Sequence, residues 1–373
     1  MMSQVEKSPN QKPLVSLIVP AYNEEKIIQE TLLALCQYMT TLEDHYEWEL
    51  IVINDGSTDA TGDVAEAFVK SIKNGYVLHH MFNFRLGQAL KFAFSRCRGD
   101  YVVVMDADLS YAPEHIGKML AKIKETRAKI VIASPYTKGG KVSNVPWIRR
   151  LFSAWANRFL CFFATKDYYS DKLTTITGMV RTYDGEFLRK LNLWTMDVDI
   201  NSEIIYKAKI LRARIVEIPA HLNWTPSGTK TGPAKHRKSS LHTRRAIVQS
   251  LLSGFILRPF MFFMMPGFAL LFLDLYPIIW TVIHTINQYQ KLANSGLPFD
   301  YRLSEAIAAA FRLSPHSFVI GGIVLLVAIQ FISLGFLAYQ KKRYYEELFY
   351  LGSTIYVHTR PEEKIPVSKD LSS

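Results

Sequence analysis

The sequence predicts an open parallel α/β sheet, followed by an interfacial helix and two transmembrane helices. Two observations predict the sheet: short apolar runs end in polar, acidic turns, and a helix-like segment follows each turn. The third observation is a pair of apolar stretches, at 260–283 and 318–338, each close to the roughly twenty residues that a membrane-spanning helix needs. The fold class is therefore α/β with an appended membrane region.

The elements of the sheet follow one another in the order strand, turn, helix. The first strand begins at Val15 and runs into the turn Pro20-Ala-Tyr-Asn-Glu-Glu25. The second begins at Glu49 and runs into Asn54-Asp-Gly-Ser-Thr-Asp59. Further strands are expected at 76–79, 101–105, 130–133 and 214–218, and helices at 26–39, 60–70, 92–97, 113–125, 145–163 and 200–208.

The run 101–105 ends in two carboxylates, Asp106 and Asp108. On a strand, residues i and i+2 point to the same side, and two close carboxylates repel each other unless a cation lies between them or they face water. Mg²⁺ and Mn²⁺ are bound by such carboxylates together with phosphate oxygens. A surface turn is the alternative, because Asp is common in turns.

The acidic tips of the other two strands favour a ligand site over a surface turn. Glu24 and Glu25 follow the first strand, and Asp55 follows the second. Ligands of open parallel sheets bind at the carboxyl ends of the strands. The three tips together therefore predict a nucleotide site with a metal.

These turns also resemble a known family. Pro20-Ala-Tyr-Asn-Glu-Glu25, Asn54-Asp-Gly-Ser-Thr-Asp59 and Asp106-Ala-Asp-Leu-Ser110 are similar to the motifs of inverting family 2 glycosyltransferases with the GT-A fold. Thr177-Gly-Met-Val-Arg181 resembles the Thr/Ser-Gly-x-x-Arg motif of the polyprenyl-phosphate glycosyltransferases, the dolichol-phosphate mannose synthase group. The resemblance covers about 13–230 and implies a Rossmann-like GT-A domain that binds a nucleotide-diphosphate sugar.

The resemblance also implies roles for single residues. It places Asp55 on the nucleobase, Asp106 on the donor ribose or the metal, and Asp108 on the metal, which would be Mg²⁺ or Mn²⁺. The remaining donor contacts that it implies are Pro20, Tyr22, Glu24 and Lys230. Packing at a strand end explains Tyr22 equally well, and a simple strand terminator explains Pro20.

The acceptor implied by the resemblance is a polyprenyl phosphate. A phosphate monoester is largely anionic at neutral pH, since its second pKa is about 6, so it needs cations rather than a general base. Arg181 fits this role by its motif, and the further candidates on the preceding helix are Arg149, Arg150 and Arg158. Arg149 and Arg150 are equally explained as surface charges. Glu203 lies near a glutamate of the family pattern, although an acid at a helix start is common for dipole reasons alone.

Two departures from the family pattern leave the donor open between UDP- and GDP-linked sugars. Asn54 stands where many relatives have a second acid. Leu86-Gly-Gln-Ala89 follows Arg85 where many relatives have Gly-Leu-Gly.

The predicted organisation is a disordered tail (1–12), a catalytic domain (13–224), a basic Gly-rich loop (225–240), an amphipathic interfacial helix (241–258), a membrane region (259–343) and a cytosolic tail (344–373). The loop is either a solvated linker or a lid over phosphates. The helix is expected in the membrane interface, on the catalytic domain, or on both. Asp274 interrupts the first span, where a carboxylate usually faces other helices or water.

The net charge of +11 is compatible with nucleic acid or with an anionic membrane surface. The basic residues collect near the apolar spans, which favours the membrane and argues against nucleic acid. The positive-inside rule then places the catalytic domain and both termini in the cytosol. The three cysteines, Cys36, Cys97 and Cys161, are far apart and are expected to be reduced.

The expected partners are a nucleotide-diphosphate sugar, a polyprenyl-phosphate lipid and the membrane, while homo-oligomerisation is left open. Two alternatives compete with this function. One is a polysaccharide or glycolipid synthase with a sugar-hydroxyl acceptor, although the Gln-x-x-Arg-Trp motif of processive synthases does not occur in the chain. The other is a non-enzymatic membrane scaffold that binds nucleotide, against which the two intact aspartates argue.

Overall fold

The structure is a computed structural model that describes residues 12–145, 173–195, 199–223, 259–293, 296 and 298–359. The chain divides into two compact units. The first comprises Met1–Leu257 and Leu348–Ser373, and the second is Arg258–Glu347.

The first unit is built on a seven-stranded sheet with the strand order β3-β2-β1-β4-β7-β5-β8. Strand β7 is antiparallel to β4 and β5, whereas the other pairs are parallel. Strands β6 and β9 form a separate small sheet. The strands are β1 (Leu14–Ala21), β2 (Glu47–Asn54), β3 (Gly75–His79), β4 (Tyr101–Val104), β5 (Ile130–Ser134), β6 (Lys141–Ser143), β7 (Arg181–Asp184), β8 (Ile215–Pro219) and β9 (His221–Asn223).

Helices cover both faces of the sheet. On β1, Val15, Leu17 and Val19 belong to one buried apolar cluster, while Ile18 belongs to the other. This alternation explains why the strands are continuous apolar runs, as expected for strands buried on both sides. The helices formed by the described residues of this unit are α1 (Ile28–Thr40), α2 (Thr61–Val69), α3 (Leu86–Arg96), α4 (Glu114–Thr126), α5 (Gly185–Lys190) and α6 (Ile200–Ile210).

The α/β fold class is confirmed, with differences at particular elements. The helix predicted at 92–97 begins earlier, at Leu86, and Asn83 Oδ1 accepts the Arg85 N–H (3.0 Å) just before its first turn. Strand β7 was not predicted, since its sequence Arg-Thr-Tyr-Asp lacks an apolar run. Helix α5 was also missed; Asp184 caps it by accepting the Phe187 N–H (2.8 Å). The predicted helix at 145–163 falls almost entirely outside the described residues, as do the basic loop and the amphipathic helix.

A buried carboxylate ties three strands together at the amino-terminal edge of the sheet. Glu49 of β2 is 2% exposed, and its Oε1 accepts bonds from Ser16 Oγ (2.5 Å) and the Arg98 N–H (2.9 Å). Its Oε2 accepts from Arg98 Nε (3.1 Å) and Nη2 (2.7 Å). Ser16 Oγ in turn accepts the Gly99 N–H (2.8 Å), so one network joins β1, β2 and the approach to β4.

The second unit contains α7 (Pro259–Lys291), α8 (Phe299–Leu313) and α9 (Pro315–Thr359), the last of which continues beyond this unit. Two segments, Phe260–Lys291 and Pro315–Ile355, are long and apolar enough to cross a membrane, and both exceed the predicted spans. Small residues recur on α9 at Gly321, Ala328 and Gly335. A Cβ on Gly321 would lie 3.3 Å from Pro277 Cβ, and one on Gly335 would lie 2.4 Å from Met264 Cγ, so the helices approach closely there.

Asp274 of α7 lies in this helix contact. Its side chain is buried, and a Cβ on Gly321 would lie 3.4 Å from its Oδ1. Neither carboxylate oxygen has a hydrogen-bond partner among the described residues. The carboxylate therefore faces the neighbouring helix, one of the two positions expected for it.

The Glu49 network gives a test of the fold. We expect Glu49→Gln to lower the free energy of unfolding by about 1.5–3 kcal/mol, because charge-assisted bonds from Arg98 are lost. Urea unfolding of the full chain, followed by far-UV circular dichroism, measures this. The matched control is Glu47→Gln on the same strand, where the side chain is exposed. Equal unfolding midpoints for the two variants would contradict the role assigned to Glu49.

Candidate active site

Three loops meet at the carboxyl ends of β1, β2 and β3. Asn23 Oδ1 accepts the Thr58 N–H (2.8 Å), and Glu25 Oε2 accepts the Ala60 N–H (3.0 Å). The Glu24 N–H donates to Thr61 Oγ1 (2.8 Å). The loop after β1 is thus fastened to the loop after β2 by backbone and side-chain bonds, and predicted donor contacts lie on both.

The predicted donor residues of the first loop differ in exposure. Pro20 lies at the end of β1 and is half-buried, as is Glu24 in the turn. Tyr22 is 39% exposed, so its ring does not serve only to fill the core. This exposure leaves Tyr22 accessible to a ligand.

Asp55, the predicted nucleobase residue, is held by the loop after β3. Its Oδ1 lies 2.7 Å from His80 Nδ1 and accepts the Phe84 N–H (3.0 Å). The next residue, Gly56, has φ +66°, and a Cβ there would lie 2.2 Å from the Phe82 carbonyl carbon. Only glycine permits this approach of the two loops.

Asp106 and Asp108 follow β4, the neighbour of β1 on the other side. Thr31 Oγ1 of α1 donates to the Ala107 carbonyl between them (2.7 Å). Asp108 Oδ1 accepts both the Ser110 N–H (2.9 Å) and Ser110 Oγ (2.6 Å). The Asp106 carboxylate has no hydrogen-bond partner among the described residues. Burial and the nearby Asp108 raise the pKa of Asp106 to about 7.

This pair fits a hard divalent cation. A cation would relieve the repulsion that raises the Asp106 pKa, and carboxylate oxygens are the donors that Mg²⁺ and Mn²⁺ prefer. Within the described ranges no group of three or more His, Cys, Asp or Glu side chains converges. The pair would therefore share an ion with oxygens of a ligand or of water, as Mg²⁺ sites commonly do.

Arg181, the predicted acceptor-phosphate residue, lies on the strand next to β4. It opens β7 opposite Val104, two positions before Asp106, but its side chain is fully buried. Its guanidinium donates to the backbone carbonyls of Gly178 (2.7 Å), Asn201 (3.0 Å) and Ile176. Burial lowers the Arg181 pKa. All three bonding nitrogens are thus directed at backbone carbonyls of the described residues, and the contact with an acceptor phosphate stays a prediction.

The segment 174–178, which contains most of the predicted Thr-Gly-x-x-Arg motif, is held from a second side by Glu217 of β8. Glu217 Oε1 accepts the N–H groups of Thr174 (2.8 Å) and Thr175 (2.9 Å), and Oε2 accepts from Thr174 Oγ1 (2.6 Å). Burial raises the Glu217 pKa. Arg181 and Glu217 therefore both hold this segment through hydrogen bonds.

Glu203 of α6 also has a structural role. Its Oε1 accepts the Trp194 N–H (2.8 Å) and pairs with Lys207 Nζ (2.5 Å), and its Oε2 accepts the Thr195 N–H (2.8 Å). Burial alone would raise the Glu203 pKa, but the bonds from Lys207 and Thr195 outweigh burial and lower the pKa. The carboxylate is occupied in holding the segment before α6.

Several predicted site residues fall outside the described part of the chain, and others were not foreseen. Arg149, Arg150, Arg158 and Lys230 belong to the first group. Thr31, His80 and Ser110 belong to the second. Only Ser110 carried a sequence signal, because a serine two residues after an aspartate often bonds to its side chain.

Comparison with known proteins identifies the family. The model of the family named Glycosyl transferase family 2 matches residues 16–191. An undecaprenyl-phosphate mannosyltransferase of Micrococcus luteus is 31% identical over 211 residues, which are 55% of this chain and 82% of that protein. A polyprenol monophosphomannose synthase of Mycolicibacterium smegmatis is 32% identical over 193 residues, which are 51% of this chain and 68% of that protein. A dolichol-phosphate mannosyltransferase of Pyrococcus furiosus is 36% identical over 142 residues, but the match spans only 38% of this chain and 39% of that protein.

Among solved structures, glucosyl-3-phosphoglycerate synthase of Mycobacterium tuberculosis in complex with Mn²⁺, UDP-glucose and phosphoglyceric acid matches with a TM-score of 0.46 and 18% identity. The match covers 65% of this chain and 79% of that one.

The position of Arg181 predicts the effect of its replacement. We expect Arg181→Lys to lower the free energy of unfolding by about 1–3 kcal/mol, because one ammonium cannot satisfy three diverging carbonyls and leaves buried oxygens unpaired. Urea unfolding of the full chain measures this. Arg127→Lys is the control, since that side chain is exposed. Unchanged stability together with lost use of the lipid acceptor would instead indicate that Arg181 contacts the acceptor phosphate directly.

Proposed function

Since this chain belongs to glycosyl transferase family 2, we propose that it is a membrane-anchored inverting enzyme that transfers one sugar to a polyprenyl phosphate. The donor is a UDP- or GDP-linked sugar, and the reaction takes place on the cytosolic leaflet. The observation that carries the proposal is the Asp106–Asp108 pair at the end of β4, beside the interlocked loops that contain Glu24 and Asp55.

The donor side of the reaction rests on charge. Breaking the bond between the anomeric carbon and the diphosphate leaves both bonding electrons on the diphosphate, so its negative charge grows. Asp108, with Asp106, would hold a divalent cation that stabilises this charge as a Lewis acid. Asp55 would receive the nucleobase, and Pro20, Tyr22 and Glu24 would surround the nucleotide.

The proposed acceptor is inferred from the names of the relatives. These are a dolichol-phosphate mannosyltransferase, an undecaprenyl-phosphate mannosyltransferase and a polyprenol monophosphomannose synthase. A phosphate oxygen of the lipid would attack the anomeric carbon on the face opposite the departing diphosphate, which inverts the configuration. No general base is needed for an anionic oxygen. Arg181, Arg158, Arg149 and Arg150 are the cations proposed for the acceptor phosphate, while Lys230 would reach the donor diphosphate.

The membrane side rests on the two long apolar helices, α7 and α9. Anchoring would keep the enzyme at the surface where a long-chain lipid phosphate is found. The charges flanking the predicted spans, Arg258 before 260–283 and Lys341-Lys-Arg343 after 318–338, support a cytosolic catalytic domain under the positive-inside rule. The domain boundaries proposed from the sequence, with catalysis in 13–224, are compatible with this arrangement.

The metal assignment predicts that Asp108→Asn lowers turnover about a hundredfold or more, since Lewis-acid stabilisation is worth several kcal/mol. Turnover of labelled sugar nucleotides into organic-extractable lipid measures this, with and without excess chelator. Asp44→Asn, an exposed aspartate before β2, is the control. Full turnover of the unmodified enzyme in excess chelator would remove the metal from the mechanism. The absence of any sugar transfer by the purified enzyme would favour the scaffold alternative.

The topology predicts opposite labelling of two engineered cysteines in a Cys161→Ser background, since Cys36 and Cys97 are buried. Ser295→Cys, between the spans, should react with an impermeant maleimide added outside the cytosol. Ser353→Cys, which follows the predicted span 318–338, should react only once the membrane is made permeable. The reverse pattern would refute the cytosolic orientation.

A further inference from the structure

The Asp55 carboxylate is oriented by a histidine that no sequence motif marks. His80 Nδ1 lies 2.7 Å from Asp55 Oδ1, and both side chains are buried, with 10% and 7% of their surfaces exposed. Phe84 donates its backbone N–H to the same oxygen (3.0 Å). No hydrogen bond reaches Asp55 Oδ2 from the residues that the structure describes.

Two aromatic rings fix the imidazole. Phe92 of α3 stacks on it with ring centroids 5.3 Å apart and an interplanar angle of 20°. Phe84 meets it edge-on at 5.2 Å and 84°. Such contacts add to burial and restrict the ring to one orientation, so its Nδ1 stays directed at Asp55.

The proton on this bond can be assigned from the acceptors. An ionised carboxylate only accepts hydrogen bonds, and Asp55 Oδ1 already accepts the Phe84 N–H. We therefore assign the Nδ1 proton to His80, which makes the imidazole the donor to Asp55.

We propose that His80 is a positioning residue for nucleobase recognition: by occupying Oδ1, it presents Oδ2 of Asp55 as the acceptor for a ring N–H of the donor's base. This proposal rests on the proposed function, which places the nucleobase at Asp55.

An acceptor oxygen held in one position, here Asp55 Oδ2, favours nucleobases that carry a ring N–H. Uracil and guanine carry a ring N–H beside a carbonyl, and either can donate to a carboxylate. Cytosine and adenine carry an unprotonated ring nitrogen at the corresponding edge. The lone pair of that nitrogen would face a lone pair of Oδ2, and the two would repel each other. The pair His80–Asp55 therefore discriminates against CDP- and ADP-linked donors.

Two substitutions separate the hydrogen bond from the packing. His80→Asn keeps a donor near the position of Nδ1 but loses the ring, whereas His80→Phe keeps a ring on Phe92 but loses the donor. His45→Phe is the matched control, because His45 is exposed in the loop before β2, at the opposite edge of the sheet.

The experiment measures the affinities of UDP, GDP, CDP and ADP for the purified full-length protein, with Mn²⁺, by calorimetry. The unmodified protein should bind UDP or GDP at least tenfold more tightly than CDP and ADP. His80→Phe should lose about tenfold in affinity for the preferred nucleotide and little for the others, so that selectivity falls. His80→Asn should stay within about threefold of the unmodified protein, and His45→Phe should match it. In turnover, His80→Phe should raise the donor KM more than it lowers kcat.

The outcomes separate this inference from the function on which it rests. If the unmodified protein binds none of the four nucleotides, the proposed function fails and this inference with it. If it binds UDP or GDP selectively and His80→Phe keeps both affinity and selectivity, only the inference is overturned. If His80→Asn loses as much selectivity as His80→Phe, the ring packing and not the hydrogen bond matters, which also overturns it. Thermal unfolding midpoints identify any variant whose loss reflects the fold alone.

Discussion

The covering of both sheet faces by helices is the constraint on which the site depends. Because side chains above and below β1, β2 and β4 are apolar and buried, polar chemistry is confined to the ends of the strands. The parallel pairing of β1 with both β2 and β4 then brings Glu24, Asp55 and Asp106 to one edge. The Glu49 network at the other edge joins the same three strands, so it supports the spacing of the residues that we propose to bind the donor.

The carboxylates of this edge are held to different degrees. Asp108 and Asp55 each have Oδ1 engaged by neighbouring donors, and Asp106 has no partner among the described residues. A half-buried carboxylate without a partner is costly unless a cation or a proton compensates for it. A cation bound together with a diphosphate would supply this compensation, whereas a surface turn would not.

The sequence predicted the fold and the location of the acidic tips, because strand periodicity and polar turns are local properties of the chain. It could not reveal the partners of those tips. His80 reaches Asp55 only because β3 pairs with β2, and a lone histidine gives no local signal of such a bond. Nor did the sequence reveal that the Arg181 side chain is buried and bonds to backbone carbonyls. The antiparallel strand β7, which causes this burial, has no apolar run from which it could be predicted.

The fastening of the loop after β1 to the loop after β2 has a consequence for the thermodynamics of ligand binding. Ordering a flexible loop costs conformational entropy of about 1–2 kcal/mol for each residue fixed, and a ligand that orders a loop must supply that free energy. Here Asn23, Glu25 and Thr61 join the two loops through hydrogen bonds within the protein itself. A nucleotide entering this part of the site would meet preorganised groups, so little of its interaction free energy would be spent on ordering the chain.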